Sequence, residues 1–210
     1  MAQYTAETAH TEPAVSSVAD PIPLGLSAFA FTTAILGCTF AGFILPGVGT
    51  GISLVVAAAL FYGGIVQILA GMWEFRKNNT IAATIFSAYG GFLAAFGVVF
   101  LPGFGIFQAL NRGVILHPAL GLFFLCWTIF SALLFLGSLR TNLALLIVLA
   151  LMFLSYLFLT IGELAGTSVV LLIIGGWLGV ACALVAWYTA LADMLRSASG
   201  AFKLPMGWIG

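Results

Sequence analysis

The chain has 210 residues, 63% of them hydrophobic and only 6% charged, and its six basic and six acidic side chains cancel. Soluble domains carry about a quarter charged residues, so a water-facing globular fold is excluded, and the balanced charge offers no surface to nucleic acid. A mean hydropathy of +1.23 makes lipid the solvent that suits most of this surface.

Residues 1–20 open the chain with MAQYTAETAHTEPAVSSVAD, small and polar, without the basic start and adjoining apolar stretch of a signal peptide. They are expected to form a short, disordered cytoplasmic tail. Six apolar runs then follow, at about 22–44, 51–73, 80–101, 115–138, 142–161 and 167–192. Each approaches the ~20 residues needed to cross a bilayer. The breaks are short: LPGVGTG at 45–51, EFRKNN at 74–79, PGFGIFQALNRG at 102–113, LRTN at 139–142 and GELAGT at 162–167. The expected fold is therefore all-α, a six-helix transmembrane domain over residues 21–196 with a cytoplasmic tail at 197–210. With the N-terminus inside, Arg76, Lys77, Arg140, Arg196 and Lys203 face the cytoplasm and only Arg112 lies outside. The excess of basic residues places both termini in the cytoplasm, in a plasma membrane.

Small residues recur at helical spacing in Ser87, Gly91 and Ala95 and in Gly175, Gly179 and Ala183. Such rows let helices approach closely in lipid. The charged residues all fall in tails, loops or the last turn of a run, so no ionisable group stands in mid-membrane as a relay. Both lysines are peripheral, His10 lies in the tail and His117 in the loop before the fourth run, and Cys38, Cys126 and Cys182 are far apart. These placements point to no metal, no cofactor and no catalysis.

A path for solute would have to be lined by neutral polar and aromatic groups. Helical spacing puts Phe29 and Thr33 on one face of the first run, beside Thr32. Gln67 shares a face with Gly63 and Gly71, just after Tyr62; Tyr89 stands mid-way along the third run; and Met152, Tyr156 and Thr160 share a face of the fifth. Each Thr and Tyr could equally bond a neighbouring helix, whereas a full amide such as Gln67 is costly in mid-span without partners. Glu163, at the outer end of the fifth run, is either a solvated helix-end carboxylate or a titrating gate. At residues 20–25, DPIPLG, Pro21 and Pro23 remove two donors from the first turn while Asp20 can cap it. The remaining amides and the helix dipole would favour a carboxylate, and a plain helix start at the membrane surface accounts for the same residues.

PIPLGLSAFAFTT at 21–33 resembles the signature of the acetate uptake transporter (succinate–acetate permease) family. The likeness continues through LFYGGIVQILAGMWEFRKNNT at 60–80, AYGG at 88–91, FLGSL at 135–139, IGELAG at 161–166 and GGWLG at 175–179. It implies a six-helix protomer in a ring-shaped homohexamer within the lipid bilayer, each protomer carrying acetate and related small carboxylates by proton symport or as an anion-selective channel. It further implies a constriction of Phe29, Tyr89 and Met152 and a signature segment of Asp20, Pro21, Pro23, Leu24 and Gly25 beside the path. Gln67 matches the family's second-span glutamine. Asp20 stands where the family has asparagine, Met152 where it has leucine, and Glu163 where the bacterial relative has asparagine. A charge-free pore would also suit ammonia or another small neutral solute, and a non-transporting acid sensor is the remaining alternative.

Overall fold

Hydrogen-bond satisfaction within lipid leaves helices as the economical way across a membrane, and the computed structural model is nearly all helical over its described residues, 18–43, 51–198 and 202–207. Most of the expected N-terminal tail and the 45–51 loop lie outside them. Six helices are long and apolar enough to cross a bilayer: Ile22–Phe40, Ile52–Arg76, Thr80–Phe100, Leu116–Gly137, Leu143–Leu164 and Val169–Ser197. They are called the first to sixth spans below. The starts and ends agree with the apolar runs to within a few residues, except that the sixth span continues to Ser197. At ~1.5 Å per residue it is about 43 Å long, more than the ~30 Å hydrocarbon core. Its last turns, with Asp193 and Arg196, therefore extend to the end of the bundle that also carries Asp20, Lys77 and Arg140. We call this the basic end.

Two features had no signature in the sequence. Ala58–Val66, inside the second span, is a π-helical stretch. The 102–113 connection is also structured, with a 3₁₀ turn at Pro102–Phe104 and a short helix at Ile106–Arg112. His117 falls in the first turn of the fourth span rather than in a loop.

The first span is the hub. It packs on the sixth, the second and third spans close against it, and the fifth packs between the fourth and the sixth. Its fit against the sixth rests on missing side chains. A Cβ on Gly37 would meet the Gly176 carbonyl oxygen at 2.8 Å, and one on Gly176 would meet the backbone of residues 37, 40 and 41. Gly175 lies equally close to Leu159 of the fifth span. The small-residue row of the sixth span thus packs inside the protomer as expected. The row on the third span does so only in part: Ser87 packs against Gly71 of the second span, but Gly91 faces open space and Ala95 is exposed, while the neighbouring Gly90 packs on Ile68 and the Gly64 carbonyl. The outward faces carry large apolar side chains, as lipid requires; Leu122, Ile129, Leu133 and Leu136 all project from the fourth span.

The C-terminal tail returns to the bundle. Met206 is buried against Ala144 and Ala192, and the Tyr188 hydroxyl donates to the Pro205 carbonyl at 2.6 Å. The carbonyls of Gly207 and Met206 accept from the amides of Leu143 and Ala144 at 2.6 and 3.1 Å, and Asn142 Oδ1 accepts from Leu145 at 2.8 Å. Three first-turn amides of the fifth span, otherwise orphaned at a helix start, are satisfied in this way.

Because backbone rather than side chain opposes any atom added at Gly176, Gly176→Val cannot be accommodated by rotamer change. Overpacking ordinarily costs about 1–3 kcal/mol, and here the loss is expected to exceed that range. Gly91→Val, facing open space, is expected to leave the protomer fold intact. Thermal melts of the two purified variants in detergent check the contrast.

Candidate functional site

Proline at 21 and 23 pre-sets the first turn of the first span. The Ile22 amide donates to Asp20 Oδ1 at 3.2 Å and the Gly25 amide to the Pro21 carbonyl at 3.0 Å. Of the two readings of this turn, the geometry favours the plain helix start, because the carboxylate that its Ile22 amide holds is the chain's own. Asp20 is held in turn by Lys77 Nζ at 2.9 Å. Gly25 serves packing, since a Cβ there would strike the Phe86 ring at 2.8 Å. Pro21 is buried, Pro23 half-buried and Leu24 exposed, so the signature residues form a helix seat rather than a cavity wall.

Lys77 also stands 3.6 Å from Glu74 Oε1. Glu74 is fully buried near the end of the second span, and neither carboxylate oxygen has a hydrogen-bond partner. Partial burial acts to lower the Lys77 ammonium, but the hydrogen bond and charge of Asp20, with the charge of Glu74, outweigh it and raise it overall. A raised ammonium contributes stability that is complete below its unfolded value of about 10.4 and is lost only as pH rises through the higher folded value. The clasp is consequently constant across physiological pH.

Along the first span runs a file of four cavities. The largest, about 350 Å³, is a vestibule at the end opposite the basic one, walled by Phe40, Phe96, Phe100 and Phe107 and bearing His117 and Glu163. Leu36 and Phe40 separate it from a pocket of about 10 Å³ lined by Thr33, Met152 and Tyr156. A second space of about 10 Å³ follows, lined by Leu26, Phe29, Tyr89, Val148 and Leu149. It adjoins a cavity of about 40 Å³ at the basic end, where Asn142, Thr189 and Asp193 stand. Each of the two middle spaces holds roughly one water. No residue lines both of them, so the file is shut at its centre.

The closure is aromatic. The Phe29 and Tyr89 rings lie 5.5 Å apart, and Tyr89 is 6.3 Å from Tyr156. The Tyr89 hydroxyl donates to Ser131 Oγ of the fourth span at 3.0 Å. Met152 stands on the vestibule side of the closure with its sulfur 4.0 Å from Cys182 Sγ. The structure thus brings Phe29, Tyr89, Met152, Thr33 and Tyr156 together. It also leaves the Thr33 and Tyr156 hydroxyls buried without a hydrogen-bond partner, although each lines the central pocket.

Four other candidate lining residues behave differently. The Thr32 hydroxyl donates to the Ala58 carbonyl at the start of the π-helical stretch, at 3.3 Å. Gln67, immediately after that stretch, is fully buried with both amide atoms unpartnered, yet it is not among the residues lining the four cavities. Tyr62 packs edge-on against Phe31, which is itself exposed, and so faces away from the file. Thr160 is spent on a hydroxyl contact of 3.0 Å with Thr128.

Glu163 is not the solvated helix-end carboxylate that its position suggested. It is only 5% exposed and meets His117 Nδ1 at 2.7 Å. The buried carboxylate of the vestibule is thereby compensated. The partnership of His117 with Glu163, the buried Glu74 and the Ser131–Tyr89 bond were all missed in the sequence.

Residues 3–209 match the GPR1/FUN34/yaaH family. The chain is 38% identical over 198 residues to acetate permease A of Emericella nidulans, covering 90% of this chain and 65% of that protein. It is 33% identical over 194 residues to the succinate-acetate/proton symporter SatP of Escherichia coli, covering 91% and 97%. The chain thus spans a little under two thirds of the fungal permease and nearly all of the bacterial symporter. Its fold superposes on the solved structure of the bacterial acetate channel SatP with a TM-score of 0.80 at 32% identity, over 90% of this chain and 99% of that one.

Taking Lys77 away leaves Glu74 buried beside an unpaired Asp20. Breaking a buried pair from one side typically costs about 3–5 kcal/mol, so Lys77→Met is expected to lower the melting temperature strongly. Lys77→Met with Glu74→Gln is expected to recover part of the loss, and differential scanning fluorimetry in detergent reads both.

Proposed function

The chain belongs to the GPR1/FUN34/yaaH family, and we propose that it carries acetate and related small monocarboxylates, or succinate, across the plasma membrane. It does so by transport rather than catalysis. The observation that supports this reading best is the pair of buried, unpartnered hydroxyls, Thr33 and Tyr156, in the small pocket against a shut aromatic contact. An unsatisfied buried hydroxyl is costly, and a carboxylate arriving in the pocket would accept a hydrogen bond from each. Its methyl group would meet Met152 and the rings of Phe29 and Tyr89, which admit a short aliphatic tail and resist a bulkier or more polar one.

The vestibule collects substrate first. Its walls are mainly apolar, and the Glu163 carboxylate is hydrogen-bonded to His117 rather than free. Glu163 acts as the gate residue of this mouth. The acidic side chains lining the file stand only at its ends, Glu163 and Asp193. A proton that crosses the closure therefore crosses on the substrate, as the neutral acid, because a bare carboxylate in an apolar constriction is expensive. With five of six Lys and Arg at the basic end or in the adjoining tail, both termini face the cytoplasm and transport from the vestibule to Asp193 is uptake. The protomers assemble as a homohexamer, each with its own file. The outward-facing Gly91 and Ala95, which no element of the protomer covers, supply a close-approach surface for that assembly.

Radiolabelled acetate uptake into proteoliposomes, with and without an imposed pH gradient, tests the reading. Saturable uptake that unlabelled acetate inhibits and ammonium does not is expected; absence of flux overturns it. Tyr89→Ala is expected to admit lactate severalfold faster, and unchanged discrimination between lactate and acetate would remove Tyr89 from the constriction.

Tyr156→Phe and Thr33→Val each delete one donor. A hydrogen bond contributes about 0.5–1.5 kcal/mol net, so each change is expected to raise the half-saturating acetate concentration roughly two- to tenfold. Uptake kinetics read the shift.

A further inference from the structure

We infer that Ser131 is the positioning residue of the constriction: it anchors the Tyr89 hydroxyl in the shut state, and release of that hydroxyl to the substrate opens the path. The inference rests on the transport reading above and extends it to a residue that lines none of the four cavities.

Tyr89 is a large polar side chain held in an almost wholly apolar setting. It is 1% exposed, and its ring is boxed by Phe29, Trp127 and Tyr156 at 5.5, 6.4 and 6.3 Å. Ring contacts of this kind are tilted and permit sliding. A hydrogen bond is directional, and the hydroxyl donates to Ser131 Oγ at 3.0 Å from the opposite span. Ser131 is itself fully buried. It sits one turn beyond Trp127 and Thr128, and Thr128 is fixed by bonds to the Phe124 carbonyl and to Thr160. The acceptor is thus carried on a braced stretch of the fourth span, whereas Tyr89 itself stands at the closure. Within reach of the same ring lies the pocket of Thr33 and Tyr156, where the carboxylate is held. A Tyr89 hydroxyl that leaves Ser131 therefore has an oxygen of the substrate's carboxyl group as an alternative acceptor. Exchange of one acceptor for the other ties opening of the closure to occupation of the pocket.

Removing the acceptor alone unbalances that exchange. Ser131→Ala leaves the hydroxyl unsatisfied when shut and fully bonded when open, and a ligand's apparent affinity rises with the population of its competent state. The half-saturating acetate concentration is expected to fall about fivefold or more in Ser131→Ala, and to stay within about twofold of the parent in Ser131→Thr, which keeps the hydroxyl. In a Tyr89→Phe background the serine change is expected to do nothing.

A second readout needs no transport. Cys182 is fully buried beside Met152, so its modification by methyl methanethiosulfonate, followed by peptide mass spectrometry, reports opening of the centre. Its rate is expected to rise in Ser131→Ala and to return to the parent value in Ser131→Thr. Equal effects of Ser131→Ala with and without the Tyr89 hydroxyl, or no effect on either readout, overturn the assignment while acetate flux in the parent preserves the transport reading. Should the parent carry no acetate, the transport reading fails, and an unchanged Cys182 rate then overturns the role of Ser131 separately.

Discussion

The backbone contact between Gly37 and Gly176 is the constraint on which the remainder of the bundle depends. It sets the first span against the sixth at a distance that no other residue pair would allow. The first span in turn contributes to every cavity of the file, from Ile22 at the basic end to Phe40 at the vestibule. In lipid there is no hydrophobic force to draw two such helices together, so close van der Waals packing has to do it. A path built along this helix inherits its precision from that fit.

Within the frame so fixed, polar side chains divide into two groups. Ser155, Thr128, Thr189 and Thr32 spend their hydroxyls on nearby carbonyls and stitch spans together or turn back on their own helix. Thr33, Tyr156 and Gln67 are buried without partners. Natural proteins rarely leave such groups idle. The first two converge on one small pocket beside the closure, which separates groups kept for a visiting solute from those that merely hold helices together. Gln67 has a different neighbourhood: it follows a π-helical stretch, a feature that often accompanies functional sites, yet no cavity described here reaches it.

How much of this was legible follows the range of each interaction. The spans were readable because each is a continuous apolar run, a property of neighbours in sequence. Position along the helices put Phe29, Thr33, Tyr89, Met152 and Tyr156 among the candidates, and resemblance grouped Phe29, Tyr89 and Met152 as a constriction. The π-helical stretch was hidden because AALFYGGIV has the composition of an ordinary helix. Glu163 stayed divided between a solvated carboxylate and a gate because its partner, His117, is 46 residues away in sequence. Ser131 was passed over because a serine in an apolar helix looks like a small packing residue, and only the third dimension brings Tyr89 to it. Tyr62 erred the other way, since periodicity could not tell a face turned to the file from one turned to Phe31.

The docked carbonyls of Met206 and Gly207 give the bundle an order of completion. A chain emerging from the ribosome delivers the fifth span before the sixth has been made, and its first turn must wait with two amides unanswered. Those amides are met only when Met206 and Gly207 arrive and fold back beside Leu143. The segment after the sixth span therefore closes a helix begun long before, so a sealed first turn of the fifth span reports that the sixth has already come into place beside it.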